Sequence, residues 1–319
     1  MIGLRTQSIC SRFSPRSISV RAIPHLLAMA STKAILTGLS SDQFRHPLDL
    51  QATQTLKQLP GLDLLVRNVL GPTAEQFFYL DNISSSILVG DRQLPHLYDL
   101  LVEACEILDL EQPQLYLKQN PVPNAYTFAI RGKKPFIVIH TSLIDLLSPE
   151  EIQAVIAHEL GHLKCDHGVY LTLANLLVLA STELIPFGGL IAQSLQSQIM
   201  EWVRCAEFTC DRAALLVAQD SRVVASVLMK LTGGSSSLSQ QLNLDAFLDQ
   251  ARSYDAASAT EIGEIFQQFQ SSQLTHPLPV LRAREIEQWS SSKDYQNVLK
   301  MHVMPYTKKR QHKGEWRNW

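Results

Sequence analysis

Twenty residues, Ser148 to His167, constrain this chain more than any others. The run SPEEIQAVIAHELGHLKCDH places His158, Glu159 and His162 in the spacing H-E-x-x-H within a strongly signalled helix. Ser148 offers an N-cap hydroxyl, Pro149 takes the first helical position, and Glu151, three residues after Ser148, completes a capping box. At about 100° per residue, a spacing of four brings His158 and His162 within about 40° of each other, roughly 6 Å apart, which suits two imidazoles on one Zn²⁺. Glu159 lies beside them, within reach of a metal-activated water without ligating the metal, as a general base must be. Ile152, Val155 and Ile156 supply an apolar face. Gly161 is a poor helix former and points to close approach by another backbone. The competing reading is a chance match on an amphipathic helix; the marked helix start and the glycine weigh against it.

The chain around this helix is long enough to bury a substantial core: 319 residues, 45% hydrophobic and 18% charged. Its net charge of −2 hides a division. Residues 1–41 hold Arg5, Arg12, Arg16, Arg21 and Lys33 with no acidic residue, so 23 of the 28 basic residues face all 30 acidic ones in the remainder. A body with that acidic balance excludes a general nucleic-acid binder. The leader is Ser-rich as well as basic, the composition of an organelle transit peptide, and Val20-Arg21-Ala22 resembles a plastid processing site. The reading is therefore a chloroplast protein, with mitochondrion as the alternative, whose first 41 residues are removed and whose mature N-terminus lies between Ala22 and Asp42. Cys10, Cys105, Cys165, Cys205 and Cys210 have no C-x-x-C spacing and fit a reducing compartment.

Residues 42–91 are punctuated by Pro47, Pro60-Gly61 and Gly71-Pro72 and read as an N-terminal extension of short helical turns. Leu94, Leu97, Leu101, Cys105 and Leu108 recur at helical spacing, giving a helix near 92–109. Three runs of strand formers follow, Gln114–Lys118, Ala125–Ile130 and Phe136–His140, and predict a small antiparallel sheet before the H-E-x-x-H helix. From Gly168 to Gln193 the only charge is Glu183, and Pro186-Phe187-Gly188-Gly189 breaks the segment. Residues 169–195 thus read as an apolar hairpin, buried or dipping into a lipid surface rather than spanning it. Helices are expected at 197–218, 223–231, 243–252, 258–271 and 280–289, followed by a basic tail within 291–319. The fold class is mainly α with a small antiparallel sheet, α+β.

Two histidines leave a catalytic zinc site short of a third protein ligand. On a continuous helix His167 lies about 180° from His158, so it would point away from the metal and serve a structural or supporting role. Glu183, Glu201 and Glu207 remain candidates. Glu207 is preferred because Asp211, one turn later, could hold a ligand histidine from behind. On spacing alone, a solvated helix face would win for that pair.

Four blocks, HELGHLKCDH (158–167), EFTCDRAA (207–214), PNAYTFAI (123–130) and THPLPVLRAREI (275–286), together resemble the HtpX/CAAX prenyl endopeptidase family of zinc metalloendopeptidases, within the gluzincins. The resemblance covers roughly 92–290, and with its leader the chain looks most like the plant plastid members, including those associated with plastoglobules. It implies a zincin-type core with one Zn²⁺ per chain bound by His158, His162 and Glu207, and Glu159 as the base. It further implies Asp211 as the acidic residue supporting a ligand, His276 stabilising the oxyanion, and Arg282 as an anchor. Asn124, Ala125 and Tyr126 match the edge strand on which an extended substrate is laid. Long transmembrane spans typical of the integral-membrane relatives are absent from the N-terminal part. The resulting expectation is a zinc-dependent metalloendopeptidase acting on organelle proteins at a lipid surface. A non-proteolytic, zinc-stabilised scaffold, or a zinc hydrolase of a non-peptide amide, are the alternatives.

Overall fold

In the computed structural model the described residues are 33–58, 71–129, 134–168, 190–263, 276–301, 303 and 304, with 170, 171 and 174. The described part of the basic leader, from Lys33 on, is folded. Strand β1 (Ile35–Leu36) pairs antiparallel with β6 (Val303–Met304). Leu36 and Leu39 are buried in the main core, and the Gln219 amide clasps both the N–H and the carbonyl of Ala34, at 2.9 and 2.8 Å. Residues 33–41 therefore belong to the fold, which corrects the exclusion of the whole segment 1–41: composition cannot see where a basic leader gives way to a strand. Helix α1 (Pro47–Lys57) starts at His46, whose Nδ1 accepts from Leu48 N, and α2 spans Gly71–Ser85. These are full helices rather than short turns. The apolar periodicity is weak because α1 buries Asp49 and Thr53 along with Leu56.

Strand β2 (Ile87–Leu88) and helix α3 (Pro95–Ile107) precede β3 (Gln114–Lys118), β4 (Ala125–Phe128) and β5 (Phe136–His140). The spatial order is β2-β3-β5-β4. Because β5 inserts between β3 and β4, it runs antiparallel to β4 and parallel to β3, with Leu115 opposite Ile137. The sheet is thus mixed, not wholly antiparallel; strand propensity cannot tell which strands become neighbours. Alternation sends Leu115, Ala125, Ile137 and Ile139 toward the main core and Tyr116, Tyr126, Phe128, Phe136 and Val138 to the other face, under Tyr79 of α2. Strand β4 is left at the edge.

After α4 (Thr141–Leu146), α5 (Pro149–Lys164) carries the H-E-x-x-H residues. Its capping box is formed, with Glu151 N donating to Ser148 Oγ at 3.3 Å and Ser148 N to Glu151 Oε2 at 2.7 Å. Glu151 also accepts from Ser226 Oγ and Lys230 Nζ, each at 2.6 Å, which ties the start of α5 to α7 (Ser221–Gly233). Between them runs α6 (Leu190–Ala218), longer than its expected start at 197. The remaining α-helices among the described residues are α8 (Leu244–Ser258), α9 (Pro279–Ser290) and α10 (Lys293–Met301). Helix α8 continues past 252, α10 was not expected, and the expected helix at 258–271 lies largely outside the described residues.

Among the described residues, helices α5 and α6 make the most extensive helix pairing. Gly161 is the reason they come so close. A Cβ there would sit 2.9 Å from Ala213 Cβ and 3.0 Å from Cys210 Cα. The apolar segment 169–195 lies mostly outside the described residues, Glu183 included; of its first part, Tyr170 and Ala174 are buried against Leu56, Ile199, Trp202 and Val203. Among the described residues no helix is long and apolar enough to cross a membrane.

Candidate metal centre

The close pairing of α5 and α6 sets two imidazoles against one carboxylate. His158 Nε2 lies 3.3 Å from Glu207 Oε2, and His162 Nε2 lies 3.4 Å from Glu207 Oε1. Both histidines thus direct the same ring nitrogen at the same buried group. Glu207 Oε2 is buried and accepts no well-directed hydrogen bond, although His158 and His276 stand within 3.3 Å and 2.9 Å of it. Burial alone would push His158 toward its neutral form, but Glu207 and Asp211 outweigh that and raise its pKa to about 10. The same burial opposes ionisation of Glu207, yet the positive groups His276 and His158 hold its carboxyl well below the usual range. The arrangement asks for positive charge between these atoms. A divalent cation on two imidazoles and a carboxylate satisfies that demand and pairs the orphaned oxygen.

Cys210 competes for the third place, since His158, His162 and Cys210 offer ligand atoms all within 4.8 Å of one another. Its thiol is a poor match: burial, with Glu207 and other negative groups nearby, pushes its pKa well above the ordinary thiol value, whereas Glu207 is already an anion. Glu201 is exposed on α6.

Behind His158, Asp211 Oδ1 is 3.1 Å from Nδ1. Arg282 of α9 grips Asp211 with Nε to Oδ2 at 2.7 Å and a terminal nitrogen to Oδ1 at 2.6 Å, a bidentate pair. Its other terminal nitrogen reaches to 3.4 Å from Glu207 Oε2. Exposed His276 sits at the site with Nδ1 toward Glu207. His167 departs from expectation. Helix α5 ends at Lys164, Asp166 adopts the left-handed conformation with φ 63°, and the turn folds His167 back until its Nδ1 is 3.1 Å from His162 Nδ1. It therefore packs against the centre instead of pointing away, because the helix on which that geometry depended does not continue.

Glu159, next along α5, is held from the sheet: Thr127 Oγ of β4 donates to Glu159 Oε2 at 2.7 Å. Thr127 was not singled out from sequence, where a threonine in a strand looks like ordinary strand propensity. Glu159, His158, Glu207 and His276 line a cleft of ≈ 500 Å³, walled on its apolar side by Val155, Val224, Val227 and Leu228, with Asn124 and Ala125 along its rim. Asn124 accepts from His140 N, so the alternating ladder turns the main-chain groups of Ala125 and Thr127 to the free edge. Tyr126 packs its ring on the face away from the cleft.

Residues 92–290 match peptidase family M48. The chain is 55% identical over 299 residues, 94% of its own length and 84% of the relative's, to "Plastoglobule-localized metallopeptidase 48, chloroplastic" from Arabidopsis thaliana. It is 30% identical over 189 residues, half of its own length and 64% of the relative's, to "Protease HtpX homolog 2" from Methanosarcina mazei. A "Protease HtpX homolog" from Moorella thermoacetica is 26% identical over 171 residues, covering 46% of this chain and 57% of that one. No solved structure matches the chain.

Proposed function

The chain is a metallopeptidase belonging to peptidase family M48, and from that premise we propose a zinc endopeptidase in which His158 Nε2, His162 Nε2 and Glu207 hold the ion and Glu159 is the general base. The observation that carries this reading is the convergence of two Nε2 atoms on the two oxygens of Glu207, at 3.3 and 3.4 Å, with one of those oxygens lacking a directed hydrogen bond. When bound, zinc polarises the scissile carbonyl and brings the pKa of water toward about 7. Glu159 takes the proton of the attacking water and returns it to the leaving amine, so its carboxylate must be held at a fixed place on the cleft wall. Thr127 Oγ does that. Asp211 accepts a hydrogen bond from Nδ1–H of His158, which leaves Nε2 bare for the metal, and Arg282 fixes Asp211. His276 turns Nδ1 to Glu207, whose charge raises the pKa of the imidazole, and as an imidazolium it can donate through Nε2 to the oxyanion of the tetrahedral substrate.

The substrate is a protein or peptide taken in extended form, added as a further strand to β4 through the main chain of Ala125 and Thr127. The localisation in the Arabidopsis relative's name, together with the basic, Ser-rich leader, supports a plastid enzyme cleaving organelle proteins. Removal of the leader falls before Lys33, since Lys33 Nζ bonds Gln153 at 2.6 Å and β1 follows. Attachment to a lipid surface rests on the apolar content of the segment beyond Ala174. The full chain should cleave an unstructured protein, lose that activity to a chelator and regain it with zinc. Cleavage that survives complete metal removal overturns the reading.

A further inference from the structure

Helix α1 lies outside the stretch that matches the family, yet it sends one carboxylate to the rear of the centre. Asp49 Oδ2 is 3.1 Å from His167 Nε2, and His167 Nδ1 is 3.1 Å from His162 Nδ1. All three side chains are buried. Asp49 is itself held on both oxygens, by Thr209 Oγ on Oδ2 at 2.7 Å and by Thr53 Oγ on Oδ1 at 3.0 Å, while Trp202 Nε1 donates to Thr53 Oγ at 2.8 Å. Arg45 Nε stands 3.7 Å from the same carboxylate. With a hydroxyl donating to each oxygen, Asp49 presents His167 with an acceptor only. A neutral His167 ring therefore places its proton on Nε2, and its Nδ1 becomes an acceptor. The nitrogen facing it, His162 Nδ1, must then carry the proton, which leaves His162 Nε2 as a bare lone pair directed at Glu207.

We propose that Asp49 is a positioning residue of the metal centre, acting through His167 to fix the tautomer and ring orientation of His162, so that α1 is part of the peptidase site rather than an appendage to it. His158 is supported by a carboxylate directly, through Asp211; His162 is supported by a carboxylate one imidazole removed. A carboxylate behind a ligand histidine raises its basicity and locks its orientation, and losing such a partner typically costs about 10–100-fold in metal affinity. The inference rests on His162 being a ligand.

The test is zinc affinity of the full chain, measured by competition with a chromophoric chelator, together with thermal unfolding of the metal-free protein. Asp49→Asn sets an amide NH₂ against one of the donors now satisfied by the carboxylate. It should weaken zinc binding by about 10–100-fold, and by less than about threefold in a His167→Gln background, because the path to the metal is already cut there. Thr53→Val removes the donor to Oδ1 and the acceptor of Trp202 Nε1, and should lower the unfolding midpoint with a smaller loss of zinc affinity than Asp49→Asn. Should Asp49→Asn fail to fold, Thr209→Val, which takes a donor from Oδ2 itself, should still weaken zinc binding several-fold. Unchanged zinc affinity in Asp49→Asn, or in Thr209→Val where that variant is the one measured, overturns the proposal, as does an equal loss in both His167 backgrounds. Wild-type chain that binds no zinc overturns the assignment of His162 as well.

Discussion

Gly161→Ala sets two rules against each other. Alanine is favoured over glycine in a helix interior by about 1 kcal/mol, so propensity alone predicts a more stable protein. The added Cβ would stand 2.9 Å from Ala213 Cβ and 3.0 Å from Cys210 Cα. Carbon atoms pack comfortably at about 3.5 Å or more, so α5 and α6 must part by roughly 0.6 Å. Neither obstacle is the free end of a side chain: one is a helix backbone and the other a Cβ fixed to it. Overpacking of this kind costs about 1–3 kcal/mol, which at least cancels the propensity gain and leaves a net loss of up to ~2 kcal/mol. The same displacement widens the gap between His158 and His162 on one helix and Glu207 on the other. A metal site tolerates errors of about 0.2 Å in its ligand distances, so zinc affinity should fall at least ~10-fold. Calorimetry of the metal-free protein and a zinc competition assay read the two effects separately. A variant with a raised midpoint and unchanged zinc affinity would refute the close-packing account of this glycine.

Glu207→Gln should lower zinc affinity by at least about 100-fold while Cys210→Ala keeps stoichiometric zinc, since the carboxylate is an anion and the thiol is held protonated; metal analysis giving the reverse pattern would make Cys210 the third ligand. Thr127→Val removes a hydrogen bond to a charged base, worth about 1.5–3 kcal/mol, and should reduce kcat about 10–100-fold with KM and zinc content unchanged; full activity would mean that Glu159 is oriented by something else.

What the sequence made legible was whatever is written locally. The start of α5 is signalled by Ser148, Pro149 and Glu151, and all three act there as their chemistry requires. The strands Gln114–Lys118 and Phe136–His140 stand where their branched and aromatic residues put them. Asp211 stands at His158 one turn after Glu207, where spacing alone also allowed a solvated face. Features that depend on distant partners were hidden. The parallel pairing of β3 with β5 depends on which strand β5 chooses as its neighbour, not on its composition. His167 reached His162 only because α5 stops at Lys164 and Asp166 takes a left-handed turn. Asp49 and Thr53 look like the solvated side of a short helix, four residues apart, until Thr209, Trp202 and His167 close over them. Leu36 sits inside a stretch whose charge marks it as a leader, yet it is buried in the main core, and its strand pairs with β6 late in the sequence.

The central claim, that a metal held by His158, His162 and Glu207 works with Glu159 as base, is tested most directly by Glu159→Gln. The amide keeps the shape of the carboxylate and can still accept from Thr127 Oγ, so the cleft should keep its form and the protein its stoichiometric zinc. Only the ability to take a proton is lost, and removal of a general base costs about 10²–10⁴ in rate. The account predicts one zinc per chain and at least about a 100-fold fall in cleavage of an unstructured protein. Cleavage at the wild-type rate by the zinc-loaded variant would contradict it.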